Sequence, residues 1–272
     1  MSSIPIVLTI AGSDSGGGAG IQADLKSMSA NRVYAASVIT ALTAQNTQGV
    51  DAIHDVPTDF IRAQMNAVFS DLDVDAVKVG MLSQSAIIDV VADGLANWKA
   101  RNIVVDPVMV AASGDPLIAD EAVETLKRKL FPLATLVTPN LHEAARLTAM
   151  PVAGSDEEVR HQALLISREN QDVGVLVKGG HTEADTSRDF LVWEGSEFWF
   201  ESDRIDTSNT HGTGCSLSSA IAANLAQDMS PPEAVEAAKD WLTRAISAAD
   251  ALNIGKGHGP VHHFIDFWKE AL

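Results

Sequence analysis

The sequence of 272 residues has little of three things that would mark particular classes of protein. A single cysteine excludes an intrachain disulfide. Basic residues are scarce, because 19 lysines and arginines stand against 36 aspartates and glutamates, for a formal net charge of -17. A surface of that charge repels nucleic-acid backbones and anionic membranes, so neither is expected as the main partner. No apolar run is long enough to span a bilayer.

Other missing features bear on the location of the protein, its number of domains and its metal binding. The N-terminus lacks the basic region and long apolar run of a signal peptide, so we expect a cytoplasmic protein. No internal repeat, low-complexity segment or linker interrupts the sequence, which predicts one domain over residues 1–272. The eight histidines show no H-E-x-x-H or similar ligand spacing, and a dedicated zinc site is not expected.

One stretch near the C-terminal end has the features of a phosphate site. It reads Asn-Thr-His-Gly-Thr-Gly-Cys-Ser at residues 209–216 and leads into an apolar segment, 217–225, with helical spacing. A glycine turn feeding a helix N-terminus offers free N–H groups and the positive end of the helix dipole to an anion. Cys215 would lie on the first helical turn, with its pKa lowered toward neutrality or as a hydrogen-bonding group. An ordinary glycine turn with a small buried residue is the alternative.

A second glycine-rich loop follows the first predicted strand. Residues 6–10 form a short apolar strand, residues 11–20 are rich in glycine, and a helix follows over 21–30. This order suggests a nicotinamide-dependent oxidoreductase, but the dinucleotide fingerprint is met only loosely. The acidic residue that should end the second strand is missing. A flexible connection remains the alternative to a ligand-binding loop.

Strands and helices alternate through the middle of the chain, and charged residues follow several strands. Asp106 ends one buried strand and Glu143 follows another, so two carboxylates at neighbouring strand ends could share a hydrated magnesium ion with phosphate oxygens. Helix capping and solvation are the alternatives for both. Lys178 ends a third strand and could meet a triphosphate. Segments 189–193 and 197–200 flank a turn and predict an antiparallel edge hairpin.

Eight motifs together resemble the hydroxymethylpyrimidine/phosphomethylpyrimidine kinase family of the ribokinase-like superfamily, over nearly the whole chain and in family order. They are Ala-Gly-Ser-Asp-Ser-Gly-Gly-Gly-Ala-Gly-Ile-Gln-Ala-Asp-Leu-Lys at 11–26, Val-Ile-Thr-Ala-Leu-Thr-Ala-Gln-Asn at 38–46, Lys-Val-Gly-Met at 78–81, Asp-Pro-Val-Met at 106–109, Thr-Pro-Asn-Leu-His-Glu-Ala at 138–144, Lys-Gly-Gly-His at 178–181, Asn-Thr-His-Gly-Thr-Gly-Cys at 209–215 and Gly-His-Gly-Pro at 257–260.

The resemblance implies an α/β fold of three layers, α/β/α, with a mostly parallel central sheet and an antiparallel edge hairpin. It also implies MgATP-dependent phosphorylation of 4-amino-5-hydroxymethyl-2-methylpyrimidine, first on its hydroxyl and then on the resulting monophosphate, for thiamine synthesis. A homodimer is expected from the same resemblance. Pyridoxal or pyridoxine kinase is the nearest alternative activity, and a non-catalytic pyrimidine-binding protein is a further one.

The resemblance also assigns roles to individual residues. Gln45 and Asp24 would read the edge of the aminopyrimidine, because an amide and a carboxylate suit a ring with both donors and acceptors. The same pocket would be lined by Gly12, Met81 and Val108. The ATP phosphates would be contacted by Asn140, Lys178, Gly212, Thr213, Gly214 and Cys215, and magnesium would be organised by Asp106 and Glu143.

Cys215 stands where sugar kinases of the superfamily place an aspartate as general base, which resembles the pyrimidine kinases in particular. A thiol of ordinary pKa is mostly protonated at neutral pH. We therefore expect Cys215 either to orient or to deprotonate the hydroxymethyl group.

Overall fold

The structure, a computed structural model, describes residues 4–110, 117–179 and 186–268. The last two residues of the Lys-Gly-Gly-His motif lie outside this range. The strands of the described part are β1 (Ile6–Asp14), β2 (Tyr34–Asn46), β3 (Gly49–Asp55), β4 (Ala76–Val79), β5 (Ile103–Val105), β6 (Leu136–Val137), β7 (Gly174–Lys178), β8 (Thr186–Trp193) and β9 (Ser196–Asp203).

The helices alternate with these strands along most of the chain. They are α1 (Gly20–Ala30), α2 (Thr58–Phe69), α3 (Ser85–Asn97), α4 (Asp120–Thr125), α5 (Leu141–Thr148), α6 (Asp156–Glu169), α7 (Thr213–Leu225) and α8 (Pro231–Ser247). A π-helical turn, Leu126–Leu130, and a 3-10 turn, Phe131–Leu133, extend α4, and a further 3-10 turn, Ala249–Leu252, follows α8.

All the described strands form one sheet in the order β3-β2-β1-β4-β5-β6-β7-β8-β9. Six neighbouring strands run parallel, in the order β2-β1-β4-β5-β6-β7. At the two edges, β3 and the β8–β9 hairpin are antiparallel. The parallel strands read as continuous apolar runs because helices cover both faces of the sheet. Their carboxyl ends therefore meet along one edge, where ligand groups gather.

Two hydrophobic cores show how the chain covers the two faces of the sheet. Side chains alternate along a strand, so Val7 belongs to the core that includes residues of α1, α7 and α8, while its neighbour Leu8 belongs to the core that includes residues of α2, α3, α5 and α6. The same alternation separates Val104 from Val105 on β5. This arrangement confirms the predicted three-layer α/β/α fold with a mostly parallel sheet and an antiparallel edge hairpin.

The edges of the fold depart from the prediction in two places. The strand β3 was not predicted; it returns from β2 by a tight turn, with Asn46 paired to Gly49. The sequence predicts one long helix from Pro231 to about Leu252, but α8 ends at Ser247 and a 3-10 turn follows it. In the part of the chain that the structure describes, no helix is long and apolar enough to cross a membrane.

Candidate active site

A cavity of about 860 Å³ lies at the carboxyl ends of the parallel strands, beside the N-terminus of α7. It brings together the residues predicted for substrate, nucleotide and metal, with one exception, Asp24. The predicted residues that line it are Gly12, Gln45, Met81, Asp106, Val108, Asn140, Glu143, Lys178, Gly212, Thr213, Gly214 and Cys215.

Asp24 does not reach the cavity, which corrects its predicted contact with the aminopyrimidine. It is fully buried on α1, and both of its oxygens accept hydrogen bonds from the ammonium of Lys78, at 2.8 and 2.9 Å. The hydroxyls of Thr9 and Ser219 donate to the same carboxylate, at 2.6 and 2.8 Å. Asp24 therefore joins β1, α1, β4 and α7 beneath the cavity floor, and no oxygen is left for a ligand.

Lys78, which sequence reasoning did not assign a role, is the cation of this cluster. Burial disfavours its charge, but its anionic neighbours, Asp24 foremost and then Asp106, together outweigh burial and hold the pKa of Lys78 above its ordinary value. The lysine thus stays charged. Its position on the short strand β4, in a Lys-Val-Gly-Met motif, was the only signal in the sequence.

The phosphate turn, residues 209–214, takes the shape that its glycines predict. Gly212 is the N-cap of α7 and has φ +77°, in the left-handed region, and a Cβ there would overlap with the carbonyl oxygen of Gly18. The Thr213 hydroxyl donates to the carbonyl of Thr210 at 2.7 Å, which tightens the turn. The Thr213 N–H donates to the carbonyl of Thr210 at 3.2 Å. The next two residues, Gly214 and Cys215, line the cavity, and their N–H groups have no partner within the helix, as in anion sites.

Lys178 and Asp106 form an ion pair directly in front of this helix. The lysine ammonium lies 2.8 Å from Asp106 Oδ1, and a Cβ on Gly214 would lie 3.3 Å from the same ammonium. The hydroxyls of Thr138 and Ser218 also donate to Asp106, each at 3.2 Å. Burial raises the pKa of Asp106, but Lys178 and then Lys78 outweigh it and hold that pKa below its ordinary value. Asp106 is therefore ionised at neutral pH.

Glu143 has two functions at the start of α5. Its carboxylate accepts from the Asn140 N–H at 2.7 Å, while the Asn140 side chain accepts from the Glu143 N–H at 2.9 Å, forming a capping box. Helix capping, the alternative role of Glu143, is therefore present, and Asn140 and Glu143 also line the cavity. Burial raises the pKa of Glu143 to about 7; Lys178 lowers it in part and Asp106 raises it further. A cation close to this carboxyl would stabilise its ionised form.

Asp106 and Glu143 are the residues predicted to organise magnesium. Within the described ranges, no group of three or more histidine, cysteine, aspartate or glutamate side chains is placed to hold a metal ion. Asp106 and Glu143 supply carboxylate oxygens, the ligands that Mg²⁺ prefers, and Mg²⁺ commonly completes its shell with water and phosphate oxygens. The donor set therefore fits magnesium carried in with a nucleotide rather than a metal caged by protein alone.

Cys215 lies at the third position of α7 and is half-buried. Burial raises the pKa of its thiol to about 11, and the charge of Lys78 reduces this rise only in part. The expectation that the helix terminus lowers this pKa toward neutrality is therefore wrong, because burial dominates. The Gly20 N–H is hydrogen-bonded to the sulfur. At neutral pH the side chain is a thiol, which leaves the hydrogen-bonding role.

The opposite end of the cavity is less charged. Gly12, Met81 and Val108 lie there with Gln45, near the ends of β1, β4, β5 and β2. The Thr43 hydroxyl donates to the Ser13 carbonyl at 2.7 Å and lies 3.1 Å from the Gln45 amide oxygen, a contact that restricts the position of the amide. An apolar slot with one oriented amide suits a flat heteroaromatic ring.

Sequence reasoning missed a buried pair that joins the two glycine-rich segments. Asp14 ends β1, and its Oδ2 lies 2.9 Å from Nε2 of His211 in the phosphate turn. The same carboxylate accepts from the backbone N–H groups of Gly16, Gly18 and Ala19, at 2.8 to 3.0 Å. Burial raises the pKa of Asp14, but these hydrogen bonds, that of His211 foremost, hold it below its ordinary value. An aspartate inside a glycine run was the available signal.

A second missed pair lies on the β8 side of the cavity. The Lys239 ammonium of α8 lies 2.7 Å from Asp189 Oδ2, and the Gly179 N–H donates to the other oxygen at 2.9 Å. Both side chains are buried and both residues line the cavity. The pair joins residues fifty positions apart, so no local sequence pattern could have revealed it.

Comparison with known proteins agrees with this geometry. The family model for phosphomethylpyrimidine kinase matches residues 14–262. A hydroxymethylpyrimidine/phosphomethylpyrimidine kinase of Rhizobium meliloti (strain 1021) is 56% identical over 265 residues, covering 97% of this chain and 99% of the relative. A thiamine biosynthesis bifunctional protein of Geobacter sulfurreducens is 52% identical over 260 residues, covering 95% of this chain and 52% of the longer relative.

Among solved structures, an ADP complex of pyridoxal kinase from Bacillus subtilis superposes with a TM-score of 0.90. It is 34% identical to this chain, and the match covers 98% of this chain and 100% of that one. The fold is thus shared with kinases of another vitamin, while the sequence is much closer to the pyrimidine kinases. The chain belongs to the phosphomethylpyrimidine kinase family.

Proposed function

We propose that the cavity transfers the γ-phosphoryl group of ATP to the hydroxymethyl group of 4-amino-5-hydroxymethyl-2-methylpyrimidine, and then to the monophosphate, giving the diphosphate used in thiamine synthesis. The observation that carries this proposal is that one cavity is lined both by Gln45, with Gly12, Met81 and Val108, and by Lys178, with the first residues of α7. The enzyme is a kinase, and its relatives at 56% and 52% identity are named for these activities and for thiamine synthesis.

The phosphate turn and Lys178 supply the charge stabilisation of the transfer. Phosphoryl transfer proceeds mainly by positioning and by neutralising the oxygens of the transferring group. Gly212 lets the turn before α7 pack against the carbonyl of Gly18. In that position, first-turn N–H groups of α7 would face those oxygens. Lys178 already lies against the first turn of α7, and Asp106 fixes its ammonium. These donors are in place before the substrate arrives.

Cys215 orients the acceptor rather than acting as a preformed thiolate. With its pKa raised to about 11, the thiol is protonated at neutral pH. It lies on the turn that would hold the transferring phosphoryl group, so a hydroxyl attacking that group lies within reach of the sulfur. In a loose transition state the bond to the attacking oxygen is little formed, so that oxygen carries little positive charge. Orientation of the hydroxyl then matters more than a strong base.

Magnesium is the ion we propose for Asp106 and Glu143. Bound with ATP, it would neutralise charge on the phosphate oxygens. Ionised Asp106 is ready for this role, whereas Glu143 is only partly ionised near neutral pH. Asn140 holds Glu143 in place through the capping box.

Phosphorylation of pyridoxine or pyridoxal is the second candidate, because the pyridoxal kinase fold superposes closely. Gln45 and Met81 favour the pyrimidine, since an oriented amide can pair with the exocyclic amine and ring nitrogen of an aminopyrimidine. We therefore expect pyridoxine to be at most a side substrate.

Initial rates of ATP consumption test the proposal, with hydroxymethylpyrimidine, its monophosphate and pyridoxine assayed in parallel in the presence of magnesium. Products are resolved by mass. We expect turnover of both pyrimidines and little of pyridoxine, and Gln45→Ala should raise the KM for both pyrimidines. A preference for pyridoxine would move the function to vitamin B6 salvage. Absence of turnover with all three would leave a binding protein.

We also propose a homodimer located in the cytoplasm, on the strength of the family resemblance. Light scattering coupled to size-exclusion chromatography measures the assembly directly. A particle with twice the mass of the chain is the expected result, and a particle with the mass of a single chain would overturn the dimer.

A further inference from the structure

The Gly-His-Gly-Pro motif is not used by the mechanism above. It belongs to a loop at residues 255–260, here called the brace loop, which is exposed at 255–258 and buried at Gly259 and Pro260. The brace loop lies between the 3-10 turn after α8 and the C-terminal segment. The brace loop contacts two separate parts of the molecule. One is the tight turn between β2 and β3, and the other is the phosphate turn.

Thr47 is the contact in the β2–β3 turn. Its hydroxyl accepts hydrogen bonds from the N–H groups of Lys256 and Gly257, at 3.2 and 3.1 Å, and its carbonyl accepts from the N–H of His258 at 2.9 Å. A Cβ on Gly257 would overlap with that carbonyl oxygen. Three backbone N–H groups of the brace loop therefore donate to one threonine, and Gly257 permits this close approach because it has no Cβ.

The phosphate turn receives the other end of the brace loop. The N–H of Gly259 donates to the side-chain oxygen of Asn209 at 2.9 Å, and the N–H of His211 donates to the carbonyl of Gly259 at 3.0 Å. His211 is also bridged to Pro260 as in a short parallel strand pair. The backbone register of the phosphate turn is thus set by the brace loop.

These contacts close a ring of loops around the cavity mouth. Beside Thr47, the backbone of Gln45 is held by the hydroxyl of Ser15, which accepts from its N–H at 2.8 Å and donates to its carbonyl at 2.7 Å. The glycine loop that contains Ser15 is in turn held to His211 through Asp14. The ring therefore links the residue at the pyrimidine end of the cavity to the turn at the phosphate end.

We propose that Thr47 is a positioning residue for phosphoryl transfer: through the brace loop, its hydroxyl fixes the phosphate turn relative to Gln45. Thr47 is not among the described residues that line the large cavity, so it acts through the loop rather than on the substrate. The inference rests on the proposed function only for its kinetic readout. Small displacements of positioning groups cost large factors in rate.

Steady-state kinetics of Thr47→Val and Thr47→Ser provide the first test. Valine keeps the shape but removes the acceptor for two N–H groups, whereas serine keeps the hydroxyl. We expect Thr47→Val to lower kcat roughly tenfold and to raise the KM for the pyrimidine, while Thr47→Ser stays within about twofold of the wild type. Asn209→Ala, which removes the other end of the brace, should reproduce the loss.

Thermal unfolding separates positioning from a merely structural role. A structural role would lower the unfolding midpoint of Thr47→Val and leave the kcat of the folded fraction unchanged. Ser70→Ala is the matched control, because it removes a side-chain hydrogen bond to the Ala67 carbonyl at the exposed end of α2, away from the cavity. It should change neither kcat nor the midpoint.

Amide hydrogen exchange tests the same coupling without a substrate, so it remains decisive if the proposed function fails. In Thr47→Val, the amide of His211 should exchange about tenfold faster than in the wild type, although the substituted residue does not contact it. An unchanged His211 amide, an unchanged kcat in Thr47→Val, or an equal loss in Thr47→Ser would each overturn the proposal.

Discussion

At the scale of single residues, the chemistry depends on how burial and neighbouring charge set protonation. Asp106 and Glu143 are both buried carboxyls, yet Lys178 is paired directly with Asp106, so the pKa of Asp106 is lowered and that of Glu143 is raised. For Cys215, burial is the largest influence and raises the pKa of the thiol, although the charge of Lys78 offsets part of that rise. The sequence could name these residues, but not their protonation, which depends on neighbours distant in the chain.

Cys215 provides the first prediction. We expect Cys215→Ala to lower kcat about 10- to 100-fold, because the acceptor hydroxyl loses its orienting partner. Cys215→Ser should retain more activity, since its hydroxyl keeps a hydrogen bond at the same position. Rates are measured at saturating ATP and pyrimidine. If Cys215→Ala turned over at nearly the wild-type rate, the orienting role would be wrong.

Glu143 provides a prediction about pH and stability. Its folded-state pKa of about 7 lies above the ordinary 4.5, so its contribution to stability is fully present below about pH 4.5 and is lost as pH rises through about 7. The loss amounts to up to about 3 kcal/mol. Glutamine cannot ionise, so Glu143→Gln should unfold roughly 5 °C above the wild type at pH 8, without ligand.

That advantage should shrink as pH falls toward 5, because the wild-type carboxyl is then protonated in the folded state. Scanning calorimetry of the metal-free proteins at several pH values gives the comparison. The same variant should lose activity through the missing carboxylate. A stability difference that did not vary with pH would show that ionisation of Glu143 is not its cause.

At the scale of elements, the site is a set of strand ends and one helix start. The glycine turn before α7, the strand ends at Asp106 and Lys178, and the edge hairpin followed from local patterns. The strand β3 did not, because its side chains are mostly exposed and carry little of the apolar alternation that marks a half-buried strand. The placement of Asp24 also failed, since its partner Lys78 is 54 residues away.

Gly212 and Gly195 make a matched pair for testing the turn before α7. Both have φ near +77°, at +77° and +76°, but a Cβ on Gly212 would overlap with Gly18, whereas nothing lies within 4 Å of a Cβ on Gly195. Gly195→Ala should therefore show backbone strain alone, about 1–3 kcal/mol, with unchanged kcat. Gly212→Ala should lose more stability and at least about 100-fold in kcat/KM for ATP.

Urea unfolding and steady-state kinetics of the two variants give the comparison. If Gly212→Ala behaved like Gly195→Ala in both measurements, the close approach between the phosphate turn and the glycine loop would be unimportant for catalysis.

At the scale of the whole molecule, one sheet edge collects every part of the site. A parallel sheet covered on both faces leaves its carboxyl ends as the place where side chains from distant segments can meet. The motifs in the sequence were sufficient to predict the layers, and twelve of the thirteen residues they assigned line the cavity, although many other lining residues were not predicted. The ring of loops around the cavity mouth was not predicted, because its hydrogen bonds join Thr47 to residues more than two hundred positions away.

The central claim is that a single cavity carries out two successive phosphorylations. The most direct measurement starts from hydroxymethylpyrimidine alone with excess ATP and magnesium, and follows the pyrimidine species by mass together with the ADP formed. The account predicts that the monophosphate rises and then falls as the diphosphate accumulates, with two ADP formed for each pyrimidine converted to the diphosphate. A reaction that stops at the monophosphate, with one ADP for each pyrimidine, would contradict it.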